Sequence, residues 1–335
     1  MTDSRPKIYH RSYICIAGLL VAAFFCVSLL VGRYPLSIKE IAAILLRGDA
    51  DATARAVFFT LRLPRAVMAV LAGAGLGLAG SVFQLIFKNP LAAPDIIGVS
   101  SGANLGAAFA ILLFGHSAAI MAGTAFLGGM LSMFLVAALA RRSGGGNTVA
   151  FILAGIIMKS LCDAGIMTLK YFADTQRQLA SMEYWSMGSL SNITATKLGA
   201  VLPFFLVGFI GIVLLRRQIA LLGLEDDESR ALGVRIKYVR VAVIAFCALT
   251  VSAVVCVTGP IAFIGLIAPH VARLALKRIS FAWCVLSVLT GALIMLVSDM
   301  PARSFAVEIP IGILTTLAGI PILLVFLWRR KAGKI

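Results

Sequence analysis

The chain has 335 residues, 61% hydrophobic and 13% charged, with a mean hydropathy of +1.01, against roughly 45–50% apolar and about 25% charged in an ordinary soluble domain. That composition excludes a soluble globular enzyme and leaves room for about ten membrane-crossing helices at roughly 20 apolar residues each. The net charge of +16 reads as the Lys and Arg that gather on the cytoplasmic face of polytopic proteins, so the expected surrounding is a lipid bilayer and not nucleic acid.

The N-terminal sequence MTDSRPKIYHRS is basic and runs into an apolar stretch at 13–31 with no small-residue cleavage site behind it, which predicts a retained first helix. Nine further spans are expected at 66–87, 96–114, 118–140, 149–169, 198–215, 241–257, 259–276, 281–297 and 309–328. Three of the ten are irregular: 96–114 follows a Pro-rich stretch, 149–169 contains Lys159 and Asp163, and 259–276 is short and carries Pro269, His270 and Arg273. The whole chain, 1–335, reads as one membrane domain. Ten spans place both termini on one side. If that side is the cytoplasm, eighteen Lys and Arg lie inside and ten outside, with Lys159 and Arg273 within spans, as the positive-inside rule requires.

Two connecting segments are long enough to carry function. The outer one, 32–65, holds a helix-like stretch, IKEIAAILLRG, and then the basic cluster LRLPR. The inner one, 216–240, reads RRQIALLGLEDDESRALGVRIKYVR, a short amphipathic helix bearing Glu225, Asp226, Asp227 and Glu228 and closed by Leu232-Gly233. Negative charge on the side where positive charge is the rule marks a docking surface.

Two broken stretches in opposite halves, NPLAAPDIIGVSSGA (89–103) and GPIAFIGLIAPHVAR (259–273), resemble each other in kind. Proline removes a backbone donor and glycine permits close approach, so both interrupt helices in the manner of a translocation path. The path and gating candidates are Asn89, Pro90, Pro94, Gly98, Ser100, Gly102, Gly265, Pro269 and His270, together with Lys159 and Asp163, which share a helical face four residues apart and are expected to pair. Asp299 and Arg303 repeat that spacing at an outer helix end, where Asp299 is expected to orient Arg303. Gly73, Gly77 and Gly80 in the second span have small-xxx-small spacing suited to close helix packing.

No catalytic constellation is present. No phosphate-binding G-x-x-x-x-G-K-[ST] loop occurs, and GGGNT at 144–148 lacks its lysine, so the chain is not expected to hydrolyse ATP. His10, His116 and His270 are scattered, which predicts no metal site and a structural or gating place for His270. Cys15, Cys26, Cys162, Cys247, Cys256 and Cys284 all fall in apolar runs without paired spacing and are expected to be small core residues.

LRLPR, NPLAAPDIIGVSSGA, the acidic segment ending in ALGV (231–234), GPIAFIGLIAPHVAR and EIPIGILTTLAGIP (308–321) follow one another as in the FecCD-type permeases, which the chain resembles from about residue 32 to 328. These are the membrane subunits of type II ABC importers for iron-siderophores, haem and vitamin B12. The resemblance implies an all-α integral membrane fold of about ten helices, a homodimer or pseudo-dimer with a path at its interface, two cytoplasmic ATPase subunits and an outer substrate-binding protein. It implies no cofactor on this chain, ATP and Mg²⁺ being used by the ATPase subunits, and it implies the cytoplasmic (inner) membrane of a bacterium or archaeon.

The family's outer arginines, which grip carboxylates on the binding protein, match Arg62, Arg65 and Arg303. Its ATPase-coupling helix matches 221–234, with Leu221, Leu222, Glu225, Asp226, Ala231, Leu232 and Gly233 as contact candidates. Where many members read G-E-x-x-A-x-x-L-G, this chain reads E-D-D-E-S-R-A-L-G. A ferric siderophore is the first substrate expected, with haem, corrinoids and oxyanions such as molybdate behind. An ion-coupled secondary transporter using Lys159 and Asp163 as a relay is the competing class, and it gives the acidic segment no purpose.

Overall fold

In lipid every backbone N–H and C=O must be satisfied within the segment, so runs this apolar fold as helices. The computed structural model of the chain describes residues 7–46, 51–95, 97–115, 117–142, 148–276, 280–305 and 307–331, and among them there is no strand. The helices are α1 (Lys7–Leu30), α2 (Ile38–Leu46), α3 (Ala52–Val57), a π-helical turn (Phe58–Arg62), α4 (Leu63–Ile86), α5 (Val99–Phe114), α6 (Ala118–Arg142), α7 (Thr148–Phe172) and α8 (Gln178–Ser186). They continue as α9 (Ala195–Leu214), α10 (Arg216–Leu222), α11 (Asp226–Ala231), α12 (Ile236–Thr258), α13 (Ile264–Ala275), α14 (Phe281–Ala302) and α15 (Ile311–Lys331).

Seven helical stretches are long and apolar enough to cross a membrane: α1, the joined stretch Ala52–Ile86, α6, α7, α9, α12 and α14. α5, α13 and the Ile311–Phe326 part of α15 are shorter apolar stretches, and together these give the ten apolar elements expected, in the expected order. The short α2 is started by Ser37 and Glu40: Ser37 Oγ accepts from the Glu40 N–H at 3.2 Å, and the Ser37 N–H donates to Glu40 Oε2 at 2.7 Å. This is a reciprocal cap.

α4 is the hub, almost wholly buried and packed on α12, α13 and α14. Its glycines face backbone. A Cβ added at Gly73 would lie 2.2 Å from the Gly291 carbonyl of α14, and one at Gly80 would lie 1.8 Å from the Gly265 carbonyl of α13. Pro269 has no N–H to give the Gly265 carbonyl, and Gly80, lacking a side chain, lets α4 close over that carbonyl. The outward faces of α1, α7 and α15 are apolar, with Leu19, Leu161 and Leu317 all more than half exposed.

The structure departs from the sequence expectations in four places. Residues 52–65, expected as connecting segment, run helically into α4, because the wide π turn and Pro64 in the first turn of α4 carry the chain through LRLPR without a break. α7 is unbroken despite Lys159 and Asp163. α8 is an extra helix that the polar sequence QLASMEYWS did not announce, tethered to α7 by Lys170–Glu183 at 2.8 Å. Cys15 and Cys26 lie exposed on α1, so only Cys162, Cys247, Cys256 and Cys284 are core residues. His116, residues 144–147 of the glycine run, Ile96, Arg5, Arg47, Lys277, Arg278 and Lys334 lie outside the described residues.

Candidate functional site

At one end of the bundle the π turn and the α4 N-terminus bring Arg62 and Arg65 against Arg303, the C-cap of α14. Arg65 grips Asp299 Oδ1 through Nε at 2.8 Å and Nη2 at 2.7 Å, while its Nη1 stands 2.7 Å from Glu308 Oε1. Arg303 Nη2 donates to the Ser28 carbonyl at 2.5 Å and to Ser28 Oγ at 2.6 Å, tying α14 to α1. Its Nε lies 3.4 Å from Asp299 Oδ2. Arg303 and Asp299 thus form an ion pair without a hydrogen bond: the hydrogen bonds that orient Arg303 go to Ser28, and Asp299 is bonded to Arg65.

Arg62 Nη2 donates to the Tyr34 carbonyl at 2.8 Å, and its guanidinium fills the space a side chain at Gly32 would need. The three arginines are 5%, 8% and 6% exposed and Asp299 is fully buried. Three cations share two carboxylates, which leaves the cluster net positive. It borders a cavity of about 230 Å³ that Arg33, Tyr34 and Ser191 also line. Among the described residues, Arg62 Nη1 and Arg303 Nη1 find no hydrogen-bond partner. Burial draws the Arg303 guanidinium below its ordinary range, and Asp299 opposes that shift.

The two broken stretches meet. After α4, Lys88 takes the left-handed conformation (φ 48°), and the Asn89 side chain accepts from the Leu91 N–H at 2.9 Å to hold the turn before Pro90. Pro94 then packs on Gly265 of the second stretch, where an added Cβ would lie 2.9 Å from Pro94 Cδ. Gly98 (φ +85°) starts α5 and gives its carbonyl to Ser132 Oγ at 2.8 Å, while Gly102 lets α5 approach the Gly128 carbonyl of α6. Ser100 Oγ donates to Asp95 Oδ1 at 2.5 Å.

In α13, Pro269 gives its carbonyl to Trp283 Nε1 at 2.9 Å. His270 is buried, with Nδ1 2.6 Å from the Leu266 carbonyl and its ring edge-on to Phe326 at 4.3 Å. No grouping of residues able to hold a metal occurs among the described residues. Lys159 Nζ and Asp163 Oδ2 pair at 2.6 Å on an exposed face of α7. An ion pair at mid-span in a membrane helix faces a partner or water and not lipid tails.

At the opposite end from the arginines, α10 and α11 form an elbow. Leu222 is buried and Leu221 half-buried, so these two candidates anchor the elbow, while Glu225, Ala231, Leu232 and Gly233 are exposed. Asp226, Asp227 and Glu228 occupy the first turn of α11, where the helix dipole favours negative charge. Gly233 (φ +82°) ends it, with the Val234 N–H returning to the Ser229 carbonyl at 3.1 Å.

The departure from the G-E-x-x-A-x-x-L-G pattern acquires a structural role here. Ser229, standing at the Ala position, donates from Oγ to the Leu221 carbonyl at 2.7 Å and locks the elbow. Asp226, at the Glu position, reaches Arg240 Nη2 at 3.2 Å and Lys88 Nζ at 3.9 Å. Sequence reasoning missed Lys88, Arg240, Ser229, Ser28, Tyr34 and Glu308 as parts of these sites. Glu308, Ser229 and Arg240 lie within the motif stretches, but all six meet their partners only through the fold.

The family model described as the FecCD transport family matches residues 19–329. The chain is 36% identical to the molybdate import system permease protein of Haemophilus influenzae, over 99% of this chain and 98% of that one. It is 34% identical to the ferric enterobactin transport system permease protein of Escherichia coli, over 90% and 91%. A solved structure of an inward-facing ABC transporter assigned to the metal-chelate type superposes with a TM-score of 0.86 at 35% identity, covering 95% of this chain and 99% of that one.

Proposed function

We infer the function from one premise: this chain belongs to the FecCD transport family. It is a multi-pass permease of the cytoplasmic membrane with the all-helical fold of type II ABC importer permeases. Within that frame we assign it the import of a ferric siderophore or similar metal chelate, with both termini cytoplasmic. Its partners are a second copy of the chain, two cytoplasmic ATPase subunits that use ATP and Mg²⁺, and an outer binding protein. The chain itself is non-catalytic and holds no cofactor.

One observation carries this reading. The exposed acidic elbow α10–α11 is tied through Asp226 to Lys88, at the head of the 89–103 stretch, whose Pro94 rests on Gly265 of the other broken stretch. A push on the elbow from an ATPase subunit therefore reaches both candidate gating stretches through direct contacts, as a two-state mechanism requires. Glu225, Ala231, Leu232 and Gly233 are the contact face, with Leu221 and Leu222 as its anchor.

At the outer end we assign docking of the binding protein's carboxylates to Arg62, Arg65 and Arg303, whose guanidiniums are buried beside the cavity of about 230 Å³, so a carboxylate reaches them by entering it. Asn89, Pro90, Gly98, Ser100, Gly102, Pro269 and His270 shape the moving stretches, and Lys159 and Asp163 face the path between the two subunits.

A molybdate-like oxyanion is the second reading, favoured by 36% identity with the Haemophilus influenzae permease over nearly the full chain. Mass spectrometry of the cargo on the co-purified binding protein separates the two. An iron chelate is the expected result, and a bound oxyanion in its place overturns the first reading while keeping the machinery.

A further inference from the structure

A charged cavity lies beside the α10–α11 elbow, which it meets at Arg240. It has a volume of about 530 Å³ and opens where α6 ends and α12 begins, with Phe151 of α7 in its wall. That places it at the edge of the bilayer, at the ends of three apolar helices. Arg141, Lys237 and Arg240 supply three cations to its lining, and among the described residues no carboxylate lines it. Of the three, Arg240 also pairs with Asp226 at 3.2 Å, so the net positive charge of the lining comes from Arg141 and Lys237. The start of the 23-residue α12 adds the positive end of its dipole. Its floor is apolar, from buried Phe151 and from Val241, and the 75% exposed Tyr238 stands at its mouth, the depth at which aromatic side chains gather in membrane proteins.

We propose that this cavity is a binding site for the phosphate diester of an anionic phospholipid. The cationic rim takes the phosphate, and the apolar floor takes the glycerol and the start of the acyl chains. Zwitterionic lipids carry a cation of their own, which the three basic side chains repel, so the site discriminates by net headgroup charge. A soluble anion would satisfy the rim but leave the apolar floor bare. Because Arg240 is shared with Asp226, an occupied site sits one contact away from the α10–α11 elbow.

The test uses the intact purified chain in mild detergent and native mass spectrometry. It is titrated separately with phosphatidylglycerol and phosphatidylcholine, and the phosphatidylglycerol series is repeated with excess inorganic phosphate. The expected result is one tightly retained phosphatidylglycerol, at least tenfold preferred over phosphatidylcholine and not displaced by phosphate. The double variant Arg141→Gln/Lys237→Gln should lose that preference, while Arg55→Gln, which removes an exposed charge elsewhere, keeps it. Thermal unfolding in phosphatidylcholine alone should be the same for both variants and the parent, which shows that the double variant is folded. Equal retention of the two lipids, full retention by the double variant, an equal loss in Arg55→Gln, or displacement by inorganic phosphate would each overturn the proposal.

Discussion

Replacing Arg65 with Ala tests whether the outer arginine cluster is a dry, pre-built unit. Arg65 makes two contacts of 2.7–2.8 Å to Asp299 Oδ1 and one of 2.7 Å to Glu308, and Asp299 is fully buried. After the substitution the ion-pair partner left to Asp299 among the described residues is Arg303, 3.4 Å away, with Arg62 further off. Breaking a buried pair by removing one partner costs about 3–5 kcal/mol, because the remaining charge is left desolvated.

Asp299→Ala should cost a similar amount, since it removes the ion-pair partner of Arg303 and leaves Arg65 with Glu308 alone. The double variant Arg65→Ala/Asp299→Ala should cost less than the sum, by about 2 kcal/mol, as contacting residues do. The assay is equilibrium unfolding of the purified chain in mixed micelles with increasing denaturing detergent, for the parent, both single variants and the double. A loss below about 0.5 kcal/mol for Arg65→Ala, or strict additivity, would mean that water reaches the cluster and that Arg65 is no anchor.

Three other outcomes are expected. Reversing charge at Arg62 and Arg303 together should weaken the outer binding protein's affinity at least tenfold at low salt and less at high salt, as interface electrostatics do; an affinity unchanged at both salts removes the docking assignment. Replacing Leu232 and Gly233 with Glu should leave ATP hydrolysis running without transport, while Ser229→Ala, which loses one bond of about 1 kcal/mol, should lower the ratio of transport to hydrolysis only partly; intact coupling in the Leu232/Gly233 variant means that the elbow is not the ATPase contact. Gly80→Val should abolish the monodisperse peak of folded protein in size-exclusion chromatography, because the added Cβ would lie 1.8 Å from the Gly265 carbonyl, a backbone atom that cannot swing away; a normal peak would refute the close α4–α13 approach.

Much of this was legible because membrane helices announce themselves by composition, and because proline, glycine and clustered charge are locally readable. The ten apolar elements, the acidic turn of α11 closed by Gly233 and the Lys159–Asp163 pair were all written in short stretches of sequence. What was not legible depends on distance along the chain. Nothing near Arg303 points to Ser28, 275 residues away, and nothing near Arg65 singles out Asp299, 234 residues away, as the carboxylate it shares with Arg303. The helical continuity of 52–65 was hidden because Leu61-Arg62-Leu63-Pro64-Arg65 looks like a break, and only a π turn lets Pro64 fall where no N–H is needed.

The most direct test of the account is substrate uptake into proteoliposomes containing this chain and its ATPase subunits, with the loaded binding protein outside. The account predicts uptake that requires ATP inside and the binding protein outside, and that is indifferent to imposed proton or sodium gradients. Uptake that follows an ion gradient without ATP, and is lost in Lys159→Met, would contradict it and make α7 the seat of an ion-coupled transporter.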